Sequence, residues 1–229
     1  MRILVIPNSL DCDWEKFIKN EKLFDHIIFM GDYFDTSKHD IIDCIDNAKK
    51  LLKYVDLDKI EFLLGNNDVS YMSNHTHKAK SYRNDYDNTI HDILSQLDVQ
   101  VCTWISIRNN TYLFSHSGFS KLWCNRHLDL IDYNRIGLVK PSYDCNYFYK
   151  AFSEVGSLED GESIVGSPIT CNIIDVIEYP INCYIQVVCD NKNRIMDNLI
   201  SINEPYIISN NNVESYDDWV ERVKENRNR

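Results

Sequence analysis

The sequence lacks three features, each of which would point to a particular class of protein: a CxxC cysteine pair, a long apolar run and a basic stripe. The absence of CxxC excludes a zinc ribbon and a thioredoxin-type motif. No apolar run approaches the roughly 18 to 20 residues that a membrane span needs, and the start MRILVIPNSLDCDW is too short for a signal peptide. We therefore expect a soluble cytoplasmic protein with no membrane partner. Its eight cysteines are expected to be free thiols: Cys12, Cys44, Cys102, Cys124, Cys145, Cys171, Cys183 and Cys189.

The charge balance is strongly acidic, with 24 Lys and Arg against 35 Asp and Glu and a formal net charge of −11. Binding along a nucleic-acid backbone is disfavoured, because it requires clustered basic side chains that neutralise phosphates. A basic patch on a partner protein, or an anion screened by a metal ion, suits this balance better. The partner itself is not identified by the charge.

The 229 residues are enough for one large core, whereas two domains of this total length would both be small. No internal repeat, low-complexity tract or Gly/Ser linker divides the chain. We therefore predict a single domain over residues 1–229, in which residues 205–229 form a C-terminal extension or helix.

The first part of the chain alternates between short β-branched runs and helical patterns. Strands are predicted at Arg2–Ile6, residues 26–30 and residues 60–64, and apolar residues spaced by three and four predict a helix over residues 40–55. This order indicates parallel βαβ units, in which ligands bind at the carboxyl ends of the strands.

The later part of the chain predicts a mixed sheet. A hairpin is expected around Asn109 and Asn110, since alternating residues flank this turn-forming pair. Residues 190–193 predict a turn that joins two later strands. The remaining predictions are helices at residues 88–97, 124–134, 147–155 and 216–223 and strands at residues 173–177, 183–189 and 195–202.

Polar segments follow several predicted strands: IPNSL after the first, GDYFD after the second, GNND after the third and SHSG after a later one. Each alone has an ordinary explanation, because Gly-Asp and Gly-Asn are common in turns and an Asp after a strand often caps the next helix. Their order along the chain is much less expected by chance, and in a doubly wound sheet such strand ends converge on one surface.

The ordered segments resemble the motifs of the calcineurin-like metallophosphoesterase superfamily, especially its serine/threonine phosphatase and bis-nucleotide hydrolase branches. The family motifs run DxH, GDxxD, GNH[DE], HxG and GHT or GHxH, and this chain has IPNSL, GDYFD, GNND, SHSG and VGSPIT. The resemblance covers roughly residues 2 to 200. It implies an α/β fold of two mixed β-sheets sandwiched between helices.

The resemblance also implies site residues for a pair of divalent metal ions. Asp32 matches the carboxylate that bridges the two ions, while Asn66 and His116 match ligands of the second ion. Asn8 stands where the first ion has an Asp, and its amide oxygen would be a weak, neutral ligand. These matches imply one bound ion, Mn²⁺, Mg²⁺ or Zn²⁺, or none.

Other positions depart from the family pattern. Leu10 and Ser167 stand where the family has histidines, and Thr36 and Ser37 stand where it has an arginine. Asn67 replaces the histidine that acts as general acid, so the acid motif of Asn67 and Asp68 is degenerate. An amide has no proton that titrates near pH 7, and general acid catalysis is typically worth about 10²- to 10⁴-fold.

Two functions remain open at this point. The first is a catalytically impaired protein that binds a protein or a nucleotide-like, phosphate-containing ligand in the old cleft. The second is an active phosphomonoesterase or phosphodiesterase that uses one metal or non-standard ligands. A different α/β fold that mimics the motifs is a third, smaller possibility. The alternative ligands would come from Asp11, Asp13, Asp35, Asp68, His75 and His77.

Overall fold

A computed structural model describes residues 1–72, 78–127, 166–178, 184–190, 192–210 and 212–227. These residues form two five-stranded sheets with helices. Each sheet contains both parallel and antiparallel pairs, so the predicted α/β class with two mixed sheets is confirmed.

The first sheet contains the three strands predicted at the start of the chain. Strands β1, β2 and β3 are parallel, with Val5 opposite Ile28 and Phe29 opposite Phe62. Their carboxyl ends therefore lie at one edge of the sheet. Two strands that the sequence did not predict, β9 and β10, complete the order β10-β9-β1-β2-β3. The strands are β1 (Arg2–Ile6), β2 (His26–Phe29), β3 (Ile60–Phe62), β9 (Tyr206–Ser209) and β10 (Val213–Ser215).

The second sheet has the order β4-β5-β6-β8-β7. The predicted β4–β5 hairpin is present, but its turn is Arg108 and Asn109, because Ile107 pairs with Asn110. Arg108 adopts a positive φ of 56° there. Strands β5, β6 and β8 are parallel, so the end of β6 lies beside the end of β5. The strands are β4 (Cys102–Ile107), β5 (Asn110–Ser115), β6 (Ile185–Cys189), β7 (Arg194–Met196) and β8 (Leu199–Ile202).

One connection in the second sheet differs from the prediction. The single strand predicted at residues 195–202 is a hairpin of β7 and β8, in which Met196 pairs with Leu199. Strand β6 pairs in parallel with β8, not with β7, its neighbour in sequence. Residue 191 of the turn predicted at 190–193 lies outside the described residues.

The described helices lie between and after the strands. Helix α2 begins where the Asp40 side chain accepts a hydrogen bond from the Ile42 backbone N–H, at 2.8 Å. This is the usual role of an Asp at a helix N-terminus. None of the described helices is long and apolar enough to cross a membrane. The helices are α1 (Trp14–Ile18), α2 (Ile41–Leu51), α3 (Asp87–Gln96), α4 (Lys121–Arg126), α5 (Ile173–Glu178) and α6 (Tyr216–Arg227).

The strand predicted at residues 173–177 is wrong, since these residues form helix α5. The Asn172 side chain accepts a hydrogen bond from the Ile174 backbone N–H at 2.9 Å, which favours a helical start. Val176 is buried against Val188 of β6 and Leu199 of β8. The helix predicted at residues 147–155, and the end of the one predicted at 124–134, lie outside the described residues.

The two sheets pack face to face, and alternate residues of each strand determine this arrangement. Ile3, Val5 and Ile28 face Phe114 and Val187 in the core between the sheets. The next residues along β1 and β2 point to the opposite face, where they pack against helices α1, α2 and α3. This packing leaves the carboxyl ends of β1, β2 and β3 near the end of β5.

Candidate functional site

A cleft of about 620 Å³ opens at the carboxyl ends of the strands. Four of the predicted site residues line it: Asn8, Asp32, Asn66 and His116. The two residues of the predicted acid motif, Asn67 and Asp68, are not among the lining residues. The described lining residues are Pro7, Asn8, Asp11, Asp32, Asp35, Lys38, Asn66, His116, Ser117, Cys171, Asn172, Ile173, Cys189, Asp190, Ile202 and Asn203.

Asp68 is fully buried and holds two loops together. Its carboxylate accepts hydrogen bonds from the backbone N–H groups of Asp32 at 2.7 Å, Gly65 at 2.9 Å and Phe34 at 3.2 Å. We call the two loops, residues 31–34 and 65–68, the Asp68 clasp. Asp68 thus joins the loops after β2 and β3 and positions the residues that line the cleft.

The electrostatics of Asp68 follow from its burial. Burial, and then the nearby Asp32 carboxylate, raise the pKa of Asp68 to about 8, although its three backbone hydrogen bonds lower the pKa. Withdrawal from water disfavours the charged form of a carboxyl group, and a second carboxylate adds to this effect. Asp68 is therefore a buried carboxyl group whose pKa lies well above the usual range of Asp.

The two loops of the clasp touch through their backbones. A Cβ atom on Gly65 would lie 2.2 Å from the Asp32 backbone nitrogen, and one on Gly31 would lie 2.4 Å from the Gly65 nitrogen. Gly31 has a φ of 98°, and Asp32 also has a positive φ, of 60°, which is uncommon for a residue other than glycine. The contact therefore requires glycine at both positions and directs the Asp32 side chain into the cleft.

His116 joins the second sheet to the clasp. Its Nδ1 lies 2.8 Å from the Met30 carbonyl oxygen, and its Nε2 lies 3.5 Å from Oδ2 of Asp32. A carbonyl oxygen only accepts hydrogen bonds, so Nδ1 carries the proton and Nε2 of the neutral ring has a free lone pair. The lone pair points toward Asp32, in the tautomer that a metal-ligating histidine adopts.

The Asn67 side chain forms a hydrogen bond with Ser81, which is not a lining residue of the cleft. Its Oδ1 accepts a hydrogen bond from the Ser81 hydroxyl, and its backbone N–H donates to Oδ1 of Asp32 at 3.0 Å. The Thr36 hydroxyl donates to the Ser81 carbonyl oxygen at 2.9 Å and fixes the same segment. The position that resembles the general acid therefore carries an amide engaged in structural hydrogen bonds.

The side of the cleft that follows β1 has no charged group at the predicted ligand position. The Asn8 Oδ1 accepts a hydrogen bond from the Leu10 backbone N–H at 2.9 Å, which is a turn of the type that Asn commonly forms. The Leu10 side chain packs against the core on the helical side of the first sheet. Asn8 therefore uses its only ligand oxygen locally, and Leu10 is not a lining residue.

The sequence analysis did not single out Lys38 and His39, which form a cluster of charges with Asp11 beside Asn8. The Asp11 carboxylate lies 3.0 Å from Nζ of Lys38 and 2.9 Å from Nε2 of His39, and it accepts a 3.3 Å hydrogen bond from Nδ2 of Asn8. We call these four residues the Asp11 cluster. Hydrogen bonding to Asp11, and then its charge, raise the pKa of Lys38. The run Ser-Lys-His after GDYFD was the available signal.

The structure also corrects the predicted fifth motif. Ser167 is fully buried, its hydroxyl accepts a hydrogen bond from the Ile169 backbone N–H at 3.3 Å, and it does not line the cleft. The end of β6 instead brings Cys189 and Asp190 into the cleft, and the Cys189 N–H donates to the His116 carbonyl oxygen at 2.8 Å. No sequence motif marks these two residues.

The described residues do not supply a donor set that fits a pair of metal ions. Among the residues that the structure describes, no group of three or more His, Cys, Asp or Glu side chains is arranged to hold a metal ion. Asp32 and His116 face each other, and the Asn66 amide lies at the exposed rim. His75 and His77, the other predicted alternatives, lie outside the described residues.

Comparison with known proteins gives one family and several solved structures. The model of the calcineurin-like phosphoesterase family matches residues 8–169, which is more than half of the chain. A hypothetical protein of Pyrococcus horikoshii OT3 is 11% identical, with 99% of this chain and 93% of that chain covered and a TM-score of 0.42. A novel archaeal phosphodiesterase is 9% identical, with 91% and 93% covered and a TM-score of 0.34. The comparison with curated proteins gives no significant match.

Proposed function

Because the chain belongs to the calcineurin-like phosphoesterase family, whose members typically use divalent metal ions, we propose that it is a binding protein derived from such an enzyme. It binds a nucleotide-like, phosphate-containing ligand in the cleft and is impaired in the two-metal hydrolysis of the family. The polar character of the cleft supports this ligand class over an apolar one, since Asn, Asp, Lys and His side chains make up much of its lining.

The observation that carries this proposal is the state of Asn67. Hydrolysis of a phosphate ester needs a proton for the leaving oxygen, and the residue at the acid position is an amide bound to Ser81. Asp68, the next residue, is fully buried within the clasp and cannot reach a ligand. Neither residue of the acid motif therefore performs the proton transfer.

The other side of the cleft supports the same conclusion. The first ion of a two-metal site needs carboxylate or imidazole ligands of its own besides the shared Asp32. Asn8 is neutral, and its oxygen is engaged by the Leu10 backbone. The charged residue beside it, Asp11, is already bound to Lys38 and His39.

Elemental analysis of protein purified without a chelator tests the proposal, together with a Mn²⁺-supplemented assay on phosphomonoesters and phosphodiesters. We expect less than one equivalent of metal and no turnover above that of Asp32→Asn. Calorimetry should show that adenosine 5′-monophosphate binds and that adenosine does not. Near two equivalents of metal, with turnover abolished by Asp32→Asn, would overturn the proposal.

A matched pair of double variants tests which positions can restore metal binding in the cleft. Asn8→Asp adds a carboxylate on a lining position and Asp190→His exchanges a carboxylate there for an imidazole, so we expect the metal content to rise. Asn8→Asp with Ser167→His is the control, because Ser167 lies outside the cleft. Equal metal content in both double variants would contradict the assignment of Asp190 to the site.

A second function is favoured by the facing pair of Asp32 and His116. Two such donors and the Asn66 amide would hold one divalent ion, Mn²⁺, Mg²⁺ or Zn²⁺, and the bound ion would supply a Lewis acid for ester hydrolysis. In this alternative the chain is an active one-metal hydrolase. The assay described above separates the two functions, because only the enzyme shows turnover that requires Asp32.

A cytoplasmic location is part of the proposal. The six described cysteines, Cys12, Cys44, Cys102, Cys124, Cys171 and Cys189, are all free thiols. Free thiols suit a reducing compartment, where disulfides are rare. Fluorescence imaging of the tagged chain in its own cell tests the location, and a signal at a membrane or outside the cell would contradict it.

A further inference from the structure

The charges that line the cleft are unfavourable for a phosphate group. Four aspartates line it, namely Asp11, Asp32, Asp35 and Asp190, and Lys38 is the only Lys or Arg among the described lining residues. An anion that enters such a cleft is repelled unless a cation meets it. Lys38 is therefore the side chain on which the binding of any phosphate-containing ligand depends most.

Lys38 is placed to meet a ligand at the mouth of the cleft. Its side chain is 63% exposed, and its Nζ is held by Asp11 at 3.0 Å. The charges of Asp35 and Asp32 act on the same ammonium group and, after Asp11, raise its pKa further. The ammonium group thus lies within the influence of the carboxylates at the ends of β1 and β2, and it is charged at physiological pH.

The Asp11 carboxylate already occupies a small anion-binding site. Three donors from different positions converge on it: Nζ of Lys38, Nε2 of His39 and Nδ2 of Asn8. Burial alone would raise the pKa of Asp11, but the hydrogen bonds from His39 and Lys38 lower it. A carboxylate and a phosphate oxygen pair accept hydrogen bonds in similar geometries, so the same donors suit a terminal phosphate group.

We propose that Lys38 and Asn8 of the cleft lining, together with the adjacent His39, form a phosphate-binding site, and that Asp11 is an internal anion which an incoming phosphate group displaces. This inference rests on the proposed function, in which the cleft binds a phosphate-containing ligand. Lys38 supplies a fixed positive charge that needs no metal ion. A ligand must therefore bind these donors more strongly than the Asp11 carboxylate does. A phosphate dianion displaces the carboxylate, whereas a more weakly binding anion does not.

The test measures the binding of adenosine 5′-monophosphate by calorimetry in buffer with EDTA, so that no divalent ion contributes. Lys38→Met removes the charge and keeps the length of the side chain, and we expect about tenfold weaker binding. Asp11→Asn removes the internal anion, and we expect binding several-fold tighter than in the wild type. Lys49→Met is the control: this exposed lysine lies in α2, outside the cleft lining, and its replacement should leave the affinity unchanged.

The double variant Asp11→Asn with Lys38→Met makes the test sharper. In the wild type, the Lys38 ammonium group is paired with Asp11 and interacts less strongly with a ligand. Lys38→Met should therefore weaken binding more in the Asp11→Asn background than in the wild type. Inorganic phosphate as the probe should show the same order of affinities, because the site recognises the phosphate group itself.

The outcomes separate the two proposals. Binding of adenosine 5′-monophosphate that Lys38→Met leaves unchanged, or that Asp11→Asn weakens, would overturn the site assignment and leave the proposed function standing. The absence of binding in both the wild type and Asp11→Asn would overturn both proposals. Thermal unfolding of each variant shows whether it is folded, and both substitutions are in side chains that are at least one-third exposed.

Discussion

The two sides of the cleft differ in how they are built. The Asp68 clasp is held by a buried carboxylate that accepts backbone hydrogen bonds, and it keeps residues that match family ligands, namely Asp32 and Asn66. The Asp11 cluster is at least partly exposed, uses side-chain ion pairs and has no family ligand other than the neutral Asn8. The loops of the Asp68 clasp cannot separate without leaving backbone N–H groups unpaired, so the fold constrains this side. The Asp11 cluster is held by side-chain ion pairs, so its side of the cleft is freer to change.

Removal of the clasp carboxylate is expected to have the largest effect on stability. Asp68→Ala leaves the backbone N–H groups of Asp32, Phe34 and Gly65 without their buried acceptor. The free energy of unfolding should fall by about 3 to 5 kcal/mol, as measured by urea titration. Asp85→Ala, at an exposed position, is the control and should stay within about 0.5 kcal/mol. A loss as small as that of the control would show that the clasp does not hold the loops.

The pH dependence of stability should show an intermediate effect. The pKa of Asp68 is raised from 3.8 to about 8. Between these values the folded protein holds a proton that the unfolded chain has released, so stability falls as the pH rises through about 8. The melting temperature should drop by several degrees between about pH 6 and pH 9 in the wild type.

Asp68→Asn, which does not titrate, is the comparison for this measurement and should lack the drop. The Asp11 cluster has the opposite sign. The pKa of Asp11 is lowered, so its contribution is present above the ordinary value of 3.8 and is lost as the pH falls further. A wild-type melting temperature that stays level from pH 6 to 9 would contradict the assignment of the raised pKa to Asp68.

Removal of the exposed carboxylate should have the smallest effect on stability. Asp11→Ala breaks ion pairs with Lys38 and His39 whose side chains are 63% and 28% exposed. Solvent screens such pairs, so the cost should be at most about 1 kcal/mol in the same urea titration. If Asp11→Ala and Asp68→Ala proved equally damaging, the two sides of the cleft would not differ in the way described.

The sequence predicts the three parallel strands of the first sheet well because their signals are local. The runs at β1, β2 and β3 are β-branched, end at Gly or Pro and alternate with a clear amphipathic helix. Their order then predicts that their ends meet, and Asn8, Asp32 and Asn66 do line one cleft. His116 joins them from the second sheet, also as the motif order implies.

Other parts of the site depend on contacts that no local pattern carries. Ile173–Glu178 is β-branched and short, so its periodicity does not distinguish a strand from a helix, and burial of Val176 on the second sheet decides the outcome. Ser167 follows a glycine as the family motif requires, yet the parallel pairing of β6 with β5 brings Asp190 to the cleft instead. Asp68 stands in a sequence that is typical of a turn, and only its hydrogen bonds from three backbone N–H groups show that it joins two loops.

The position of β9 has a consequence for how the chain reaches its folded form. Leu4 of β1 pairs with Ile207 of β9, which makes β9 the antiparallel neighbour of the first strand. As the chain emerges from the ribosome, β1 keeps this edge unpaired until β9 has been synthesised. Such an edge is open to pairing with other chains, and contacts between distant residues slow folding. The strand that precedes Asn8 is therefore made well before the strand that covers its edge.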